Sequence, residues 1–354
     1  MGKLTGQHWL CYKLLGQEVK ALQRLRRQIA RALLTGPLTF WDLLPLQDGD
    51  LARFASALEE MAEEGLLVRR PDGTLALTEA GTGVFSEVLP RQGWECPRCG
   101  GTGMVPEGRF ATLLDRWRQL AAARPAPALA FDQGYISPQD TIGRVIFMYR
   151  RGDLEGQRLF FLGDDDLTSL AAALTGLPKA ISVLEIDERL VNFLNRTARE
   201  LGWTNFKAET YDAQEPLPPP YRQSFDVAVT DPVETRRGFL VFLSRCAHAI
   251  EQAGAAVYFG LTRLETSPAK WAEWLAALLE MGLVPTDILP AFHHYDLENT
   301  GFVAEEYPEA RRFLPDRPPQ KPWYSSSLIR MEAVRPPRPL FAGAVHLGPE
   351  LYRD

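Results

Sequence analysis

The stretch RLFFLGDDDLTS, residues 158–169, decides how the chain is read. Its first five residues, Arg158 to Leu162, have the apolar and aromatic character of a buried strand, and the glycine and three aspartates behind them are turn formers. Four more strands follow along the chain: Ala180 to Ile186, Phe206 to Tyr211, Phe225 to Thr230 and Ala255 to Gly260. Each has a helical or turn segment behind it. Strands alternating with helices imply a parallel sheet with helices on both faces. Two later strands, near Val284 to Phe292 and Tyr324 to Val334, complete a seven-stranded sheet whose last pair is antiparallel.

In an open parallel sheet, ligands sit beyond the carboxyl ends of the strands. The residues at those ends are chemically selective here. The first strand runs into Gly163-Asp164-Asp165-Asp166. Glu185 closes the second, twenty-two residues after Gly163, with Asp187 just behind it. That matches the ~20-residue spacing of an acidic residue that binds ribose hydroxyls. Asp212 closes the third, where a nucleoside's adenine amino group is met, and Asp231-Pro232-Val233-Glu234-Thr235 closes the fourth. An Asp-Pro pair at that place faces the nucleophilic nitrogen in amino-group methyltransferases. The fold class is therefore α/β, a Rossmann-like sheet of the methyltransferase type.

The triple aspartate departs from that pattern. A phosphate or dinucleotide site at this turn needs glycines and no negative charge. Three carboxylates also repel the carboxylate of S-adenosylmethionine, and attract a donor that carries an ammonium in its place. That donor is decarboxylated S-adenosylmethionine, whose transferable group is aminopropyl. The alternative reading is a solvated helix cap, since Asp at a helix N-terminus is favourable by about 0.3–1 kcal/mol. One aspartate meets that need, and three exceed it. His293 and His294, beside Tyr295, read either as ligands or as a surface or strand-packed pair.

Outside this region the chain carries a smaller module. Residues 18–90 read as three helices and a short hairpin turned by Pro71-Asp72-Gly73, the order of a winged helix. Its third helix holds Glu59, Glu60, Glu63 and Glu64, which disfavours nucleic acid as a partner and leaves dimerisation or scaffolding. The segment CPRCGGTG (96–103) within the 91–106 linker offers Cys96 and Cys99 as half of a zinc site. A metal shared across a homodimer, a redox pair and a plain turn all stay open. A length of 354 residues suits two domains, here 1–90 and 107–335, and the Pro-rich residues 336–354 are expected to be a flexible tail covering the cleft. A net charge of -6 argues against nucleic acid and suits a cationic substrate. The composition and the lack of a long apolar run or cleavable leader predict a cytoplasmic protein without membrane spans.

Taken together, LGDDDLTSLA (162–171), VLEIDERL (183–190), TDPVET (230–235), YFGLTRLE (258–265), FDQGYISPQDT (131–141) and the CPRCGGTG segment resemble the branched-chain polyamine synthases of thermophiles over nearly the whole chain. Pro-Val-Glu stands at 232–234 where the family has Pro-Pro-Glu. The resemblance implies aminopropyl transfer from decarboxylated S-adenosylmethionine, as co-substrate with no tightly bound cofactor, to the secondary amine of spermidine. Asp164, Asp165 and Asp166 then hold the catalytic carboxylate, with Asp165 or Asp166 as base. Asp231 and Glu234 orient the central nitrogen, and Glu265 and Asp296 are candidates to anchor the terminal ammonium groups. Two rival readings are an N-methyltransferase that uses intact S-adenosylmethionine and a winged-helix DNA-binding regulator.

Overall fold

The computed structural model describes residues 22–93, 96, 98–295, 297 and 300–351, and the chain divides into two compact units. The first takes the residues up to Trp94 together with Arg263–Glu265 and Leu297–Tyr324. A helix over 22–33 leads to helices Phe40–Leu43 and Leu51–Glu63, each opened by a side-chain cap: Thr39 accepts from the Asp42 N–H and Asp50 from the Arg53 N–H. Strands β1 (Leu67–Arg69) and β2 (Leu75–Leu77) then pair as an antiparallel hairpin. Gly73 adopts φ +83° in the turn, as the Pro-Asp-Gly sequence predicts.

The sequence assigns residues 107–335 to one domain, whereas the structure returns 297–324 to the first unit. The reason is apolar. Val303, Ala310, Phe313 and Trp323 are buried in the same cluster as Phe40, Trp41 and Phe54, with the Trp41 and Trp323 rings 4.8 Å apart.

The second unit holds β3 (Arg158–Leu162), β4 (Ala180–Glu185), β5 (Phe206–Thr210), β6 (Val227–Thr230), β7 (Ala256–Leu261), β8 (Leu283–Tyr295) and, from Ser325 onward, β9 (Tyr324–Ala333), in the order β5-β4-β3-β6-β7-β9-β8. Strands β3 to β7 pair in parallel, and β9 runs antiparallel to β7. Successive residues alternate between two cores, Leu159 and Phe161 below the sheet and Phe160 and Leu162 above it. The order reverses at β3, between β4 and β6, so the crevice at the end of β3 is where a ligand belongs. Below the sheet, the Tyr258 hydroxyl donates to Asp153, and Arg330, paired in register with Tyr258, donates to Asp153 at 2.7 Å and to the Thr286 hydroxyl at 2.8 Å.

The tail corrects a second expectation. Residues 336–351 are docked, because the Pro-rich text conceals Val345, Leu347 and Leu351, all buried in the upper core. Arg245, fully buried, binds the carbonyls of Ala213 (2.9 Å), Phe341 (2.6 Å), Gln214 (3.3 Å) and Gly343 (2.8 Å), and so ties the tail to the sheet domain. Among the described residues, no helix is long and apolar enough to cross a membrane.

Candidate active site

The turn after β3 divides the three aspartates between two tasks. Gly163 takes φ +73° and Leu167 φ +53°, and this sharp turn aims the three side chains in different directions. Asp164 ties down the first turn of the helix Thr168–Leu174: one oxygen accepts from the Ser169 N–H at 3.0 Å and the other from the Ser169 hydroxyl. Its burial pushes its pKa up to about 7 against those bonds. Asp165 and Asp166 are held by a segment thirty residues upstream. The Gly134 N–H donates to Asp165 Oδ2 at 3.2 Å and the Ile136 N–H to Asp166 Oδ1 at 2.8 Å. The residue between them, Tyr135, is fixed by its hydroxyl on the Pro125 carbonyl and by the Arg124 guanidinium over its ring. Asp166 Oδ2 is buried with no donor facing it.

Glu185 and Asp231 complete the acidic floor. Glu185 is 4% exposed and accepts the N–H groups of Asp164 (2.8 Å) and Asp187 (2.9 Å), so it also braces the aspartate turn. Asp187 caps the helix Glu188–Glu200 and pairs with Arg189 at 2.6 Å, while Asp212 binds the Gln214 N–H at 2.8 Å. Asp231 accepts the Gly260 N–H at 2.9 Å on one oxygen and Arg144 Nη2 at 2.8 Å on the other. Glu234, expected beside the amine, receives the Thr262 N–H at 2.6 Å and the Thr266 hydroxyl. Glu265 lies in the first unit, exposed and bonded by the Tyr324 hydroxyl, and Asp296 falls outside the described residues.

Burial raises the pKa of Asp165 and of Asp166, and mutual repulsion among Glu185, Asp231 and the aspartates adds to it. These carboxyls keep protons in the folded state that the unfolded chain releases near pH 4, so stability of the unliganded protein falls as pH rises from about 4 through the raised folded values. Thermal unfolding between pH 5 and 8 should show this decline, and Asp166→Asn should flatten it. A slope unchanged by that variant would contradict the assignment.

Residues the sequence left without a role frame the floor. Arg144 lies in the buried run Thr141–Met148 of the helix Pro138–Arg151, and a lone arginine in such a run is the signal that could have found it. His293 and Tyr295 project from β8 towards Ser326, so the histidine is strand-packed as one of its two readings held. Gly260 is the point of closest approach: a Cβ there would collide with Asp231 Oδ1 and lie 3.2 Å from Ser326 Oγ. Gly260→Ala should therefore lower kcat at least tenfold and cost about 1–3 kcal/mol of stability by overpacking. Wild-type turnover and Tm in that variant would refute the close approach.

Cys96 and Cys99 share a glycine-rich turn, in which the Gly100 N–H donates to the Cys96 carbonyl at 2.8 Å. The N–H groups of Gly103 and Gly101 hold the Cys99 thiol below its ordinary pKa. Among the described residues, no group of three or more His, Cys, Asp or Glu is placed to hold a metal.

With this geometry in place, comparison with known proteins is direct. Residues 112–354 match the branched-chain polyamine synthase A C-terminal domain. The chain belongs to the branched-chain polyamine synthase family. A family member from Thermus thermophilus, an N(4)-bis(aminopropyl)spermidine synthase, is 41% identical over 314 residues, covering 87% of this chain and 88% of its own. Its namesake from Thermococcus kodakarensis is 37% identical over 318 residues, 89% of each chain. Among solved structures, a mutein of the Thermus thermophilus branched-chain polyamine synthase, in complex with N4-aminopropylspermidine and 5'-methylthioadenosine, aligns with TM-score 0.81 and 38% identity. The alignment covers 94% of this chain and 92% of that one. The resemblance stated from GDDD and TDPVET is thus borne out, as is the methyltransferase-type sheet.

Proposed function

We propose that this branched-chain polyamine synthase transfers aminopropyl groups from decarboxylated S-adenosylmethionine to the secondary amine of spermidine. The products are N4-aminopropylspermidine, then N4-bis(aminopropyl)spermidine, with methylthioadenosine released at each transfer. The observation that carries this reading is the pair Asp165 and Asp166, pinned by the N–H groups of Gly134 and Ile136 beside Asp231, with Asp166 Oδ2 buried and lacking a donor. A buried acceptor without a donor costs free energy unless a ligand supplies one. An ammonium supplies both the hydrogen and the charge.

In the reaction the amine reaches the site as a cation and must lose a proton before its lone pair attacks. Asp165 or Asp166 takes that proton. The nitrogen then bonds to the carbon next to sulfur as the carbon–sulfur bond breaks, and the electron pair stays with the thioether of methylthioadenosine. Sulfonium is a good leaving group, so alignment provides much of the remaining rate. The free lone pairs of Glu185 and the carboxylate of Asp212 suit the ribose hydroxyls and adenine of the donor. A cytoplasmic homodimer completes the reading, with light scattering of the purified chain testing its assembly.

Placing the carboxylate of intact S-adenosylmethionine against this floor costs several kcal/mol of like-charge repulsion. The decarboxylated donor should therefore be used at least about 100-fold better in kcat/KM, since about 1.4 kcal/mol is tenfold. Mass spectrometry of spermidine incubated with each donor checks this. Comparable turnover with the intact donor, giving methylated product, would favour an N-methyltransferase and overturn the proposal.

A further inference from the structure

Behind Asp231 runs a buried polar chain that no step of the reaction above uses. Arg144, 2% exposed, donates from Nη2 to Asp231 at 2.8 Å, from Nε to His293 Nε2 at 3.1 Å, and from Nη1 towards the Thr168 hydroxyl at 3.5 Å. His293 is fully buried and meets the Ser326 hydroxyl through Nδ1 at 2.9 Å, and the same hydroxyl lies 3.2 Å from the Tyr295 hydroxyl. Because Nε2 accepts from the guanidinium, the imidazole proton belongs on Nδ1, which donates to Ser326.

We infer that Arg144 is a positioning residue: braced by His293, it holds Asp231 in the orientation that aims the amine, and leaves proton acceptance to Asp165 and Asp166. This rests on the amine-alkylation reading above. Both oxygens of Asp231 are already held, one by a guanidinium on a helix and one by the Gly260 N–H near the end of β7, so the carboxylate cannot rotate without breaking one of these bonds. Asp165 and Asp166 accept hydrogen bonds from neutral N–H groups, one oxygen of Asp166 accepts none, and Arg144 acts on Asp166 through its charge without donating to it.

The charged and titratable groups around Asp231 come from every neighbouring element. Asp164, Asp165 and Asp166 lie on the turn after β3 and Glu185 ends β4. His293 and Tyr295 stand on β8, and Arg144 on its helix. The Arg124 guanidinium donates to the Asp165 main-chain carbonyl and not to a carboxylate. Burial works against the charge on Arg144, but the carboxylates of Asp231 and Asp166 more than offset it, while burial and Arg144 keep His293 neutral. The cluster therefore has a fixed positive end.

The test is the pH profile of kcat/KM in Arg144→Met, Arg144→Lys and Ser326→Ala, with circular dichroism confirming the fold. Losing an opposite charge at this distance raises carboxylate pKa values by about one unit or more. Arg144→Met should move the acidic limb up by that amount and lower kcat about 10- to 100-fold. Lysine keeps the charge but cannot hold His293 and Asp231 together. Arg144→Lys should therefore keep the limb within a few tenths of a unit and still lose kcat, and Ser326→Ala should lose a few-fold with the limb in place. An unmoved limb in Arg144→Met overturns the inference, as does wild-type kcat in Arg144→Lys. If the methionine variant does not fold, the lysine variant decides. Parallel assays of the wild type with both donors keep this separate from the proposed function: methyl transfer from the intact donor would sink that reading, while the limb is read in whichever reaction the wild type performs.

Discussion

Asp165→Asn and Asp166→Asn are expected to lower kcat by about 100- to 10,000-fold, the usual loss when a general base is removed. Asparagine keeps the shape and can still accept from the Gly134 or Ile136 N–H, so the turn and its two anchors survive the change. What disappears is a group able to take a proton. Glu185→Gln, in contrast, alters a donor contact present before and during reaction, and should act mainly on the donor KM. Asp231→Asn should fall between the two, since its loss disturbs aim and charge together. Steady-state kinetics on the four variants separate these outcomes. If both Asp165→Asn and Asp166→Asn kept near-normal kcat, the proton would go to Asp231, and the role inferred for Arg144 would fail with it.

Removing residues 336–354 should cost the fold heavily. Val345, Leu347 and Leu351 are each at most 7% exposed, and burying an apolar side chain of this kind contributes about 1.5–3 kcal/mol. The loss is therefore roughly 5 kcal/mol or more before hydrogen bonds are counted, a large share of a typical domain's 5–15 kcal/mol. Arg245 would also lose the Phe341 and Gly343 carbonyls and remain as a buried cation with fewer acceptors. Calorimetry of the truncated chain should show a Tm lower by ten degrees or more, of the order expected from ~2–4 °C per kcal/mol at this size. An unchanged Tm with lost activity would restore the mobile cover expected from the Pro-rich text.

How legible the protein was follows from the range of its interactions. Strands β3 to β7 could be read to within one or two residues, because each is a short apolar run closed by turn formers, a local signal. The carboxylates could be read because strand ends are where chemistry collects in this fold. The partners that give each carboxylate its task could not. Gly134 and Ile136 act through backbone N–H groups that any residue but proline offers, and Arg144 meets His293 across 149 positions of sequence. Composition misled at the tail for a related reason: three apolar residues among prolines have no periodicity, yet they suffice to dock a segment whose carbonyls find Arg245. Likewise 297–324 sits between two strands of one sheet while its apolar side chains belong to another core.

The buried trio of Tyr258, Asp153 and Arg330 has a bearing on how the sheet is assembled. Strand β9 is the last in sequence, yet it enters between β7 and β8. Alternation of side chains protects it against a slip of one residue, which would carry Ile329 and Met331 out of the upper core and drive Arg330 into it. A slip of two would keep that alternation and go unpunished by hydrophobicity alone. It would, however, bring Leu328 or Glu332 opposite Tyr258 in place of Arg330, stranding the Asp153 carboxylate or setting a second acid beside it. A buried charge without its partner is strongly destabilising, about 3–5 kcal/mol. The trio thus works as a keyed lock on the register of β9, rejecting misthreaded pairings that the greasy surfaces of the sheet would otherwise accept.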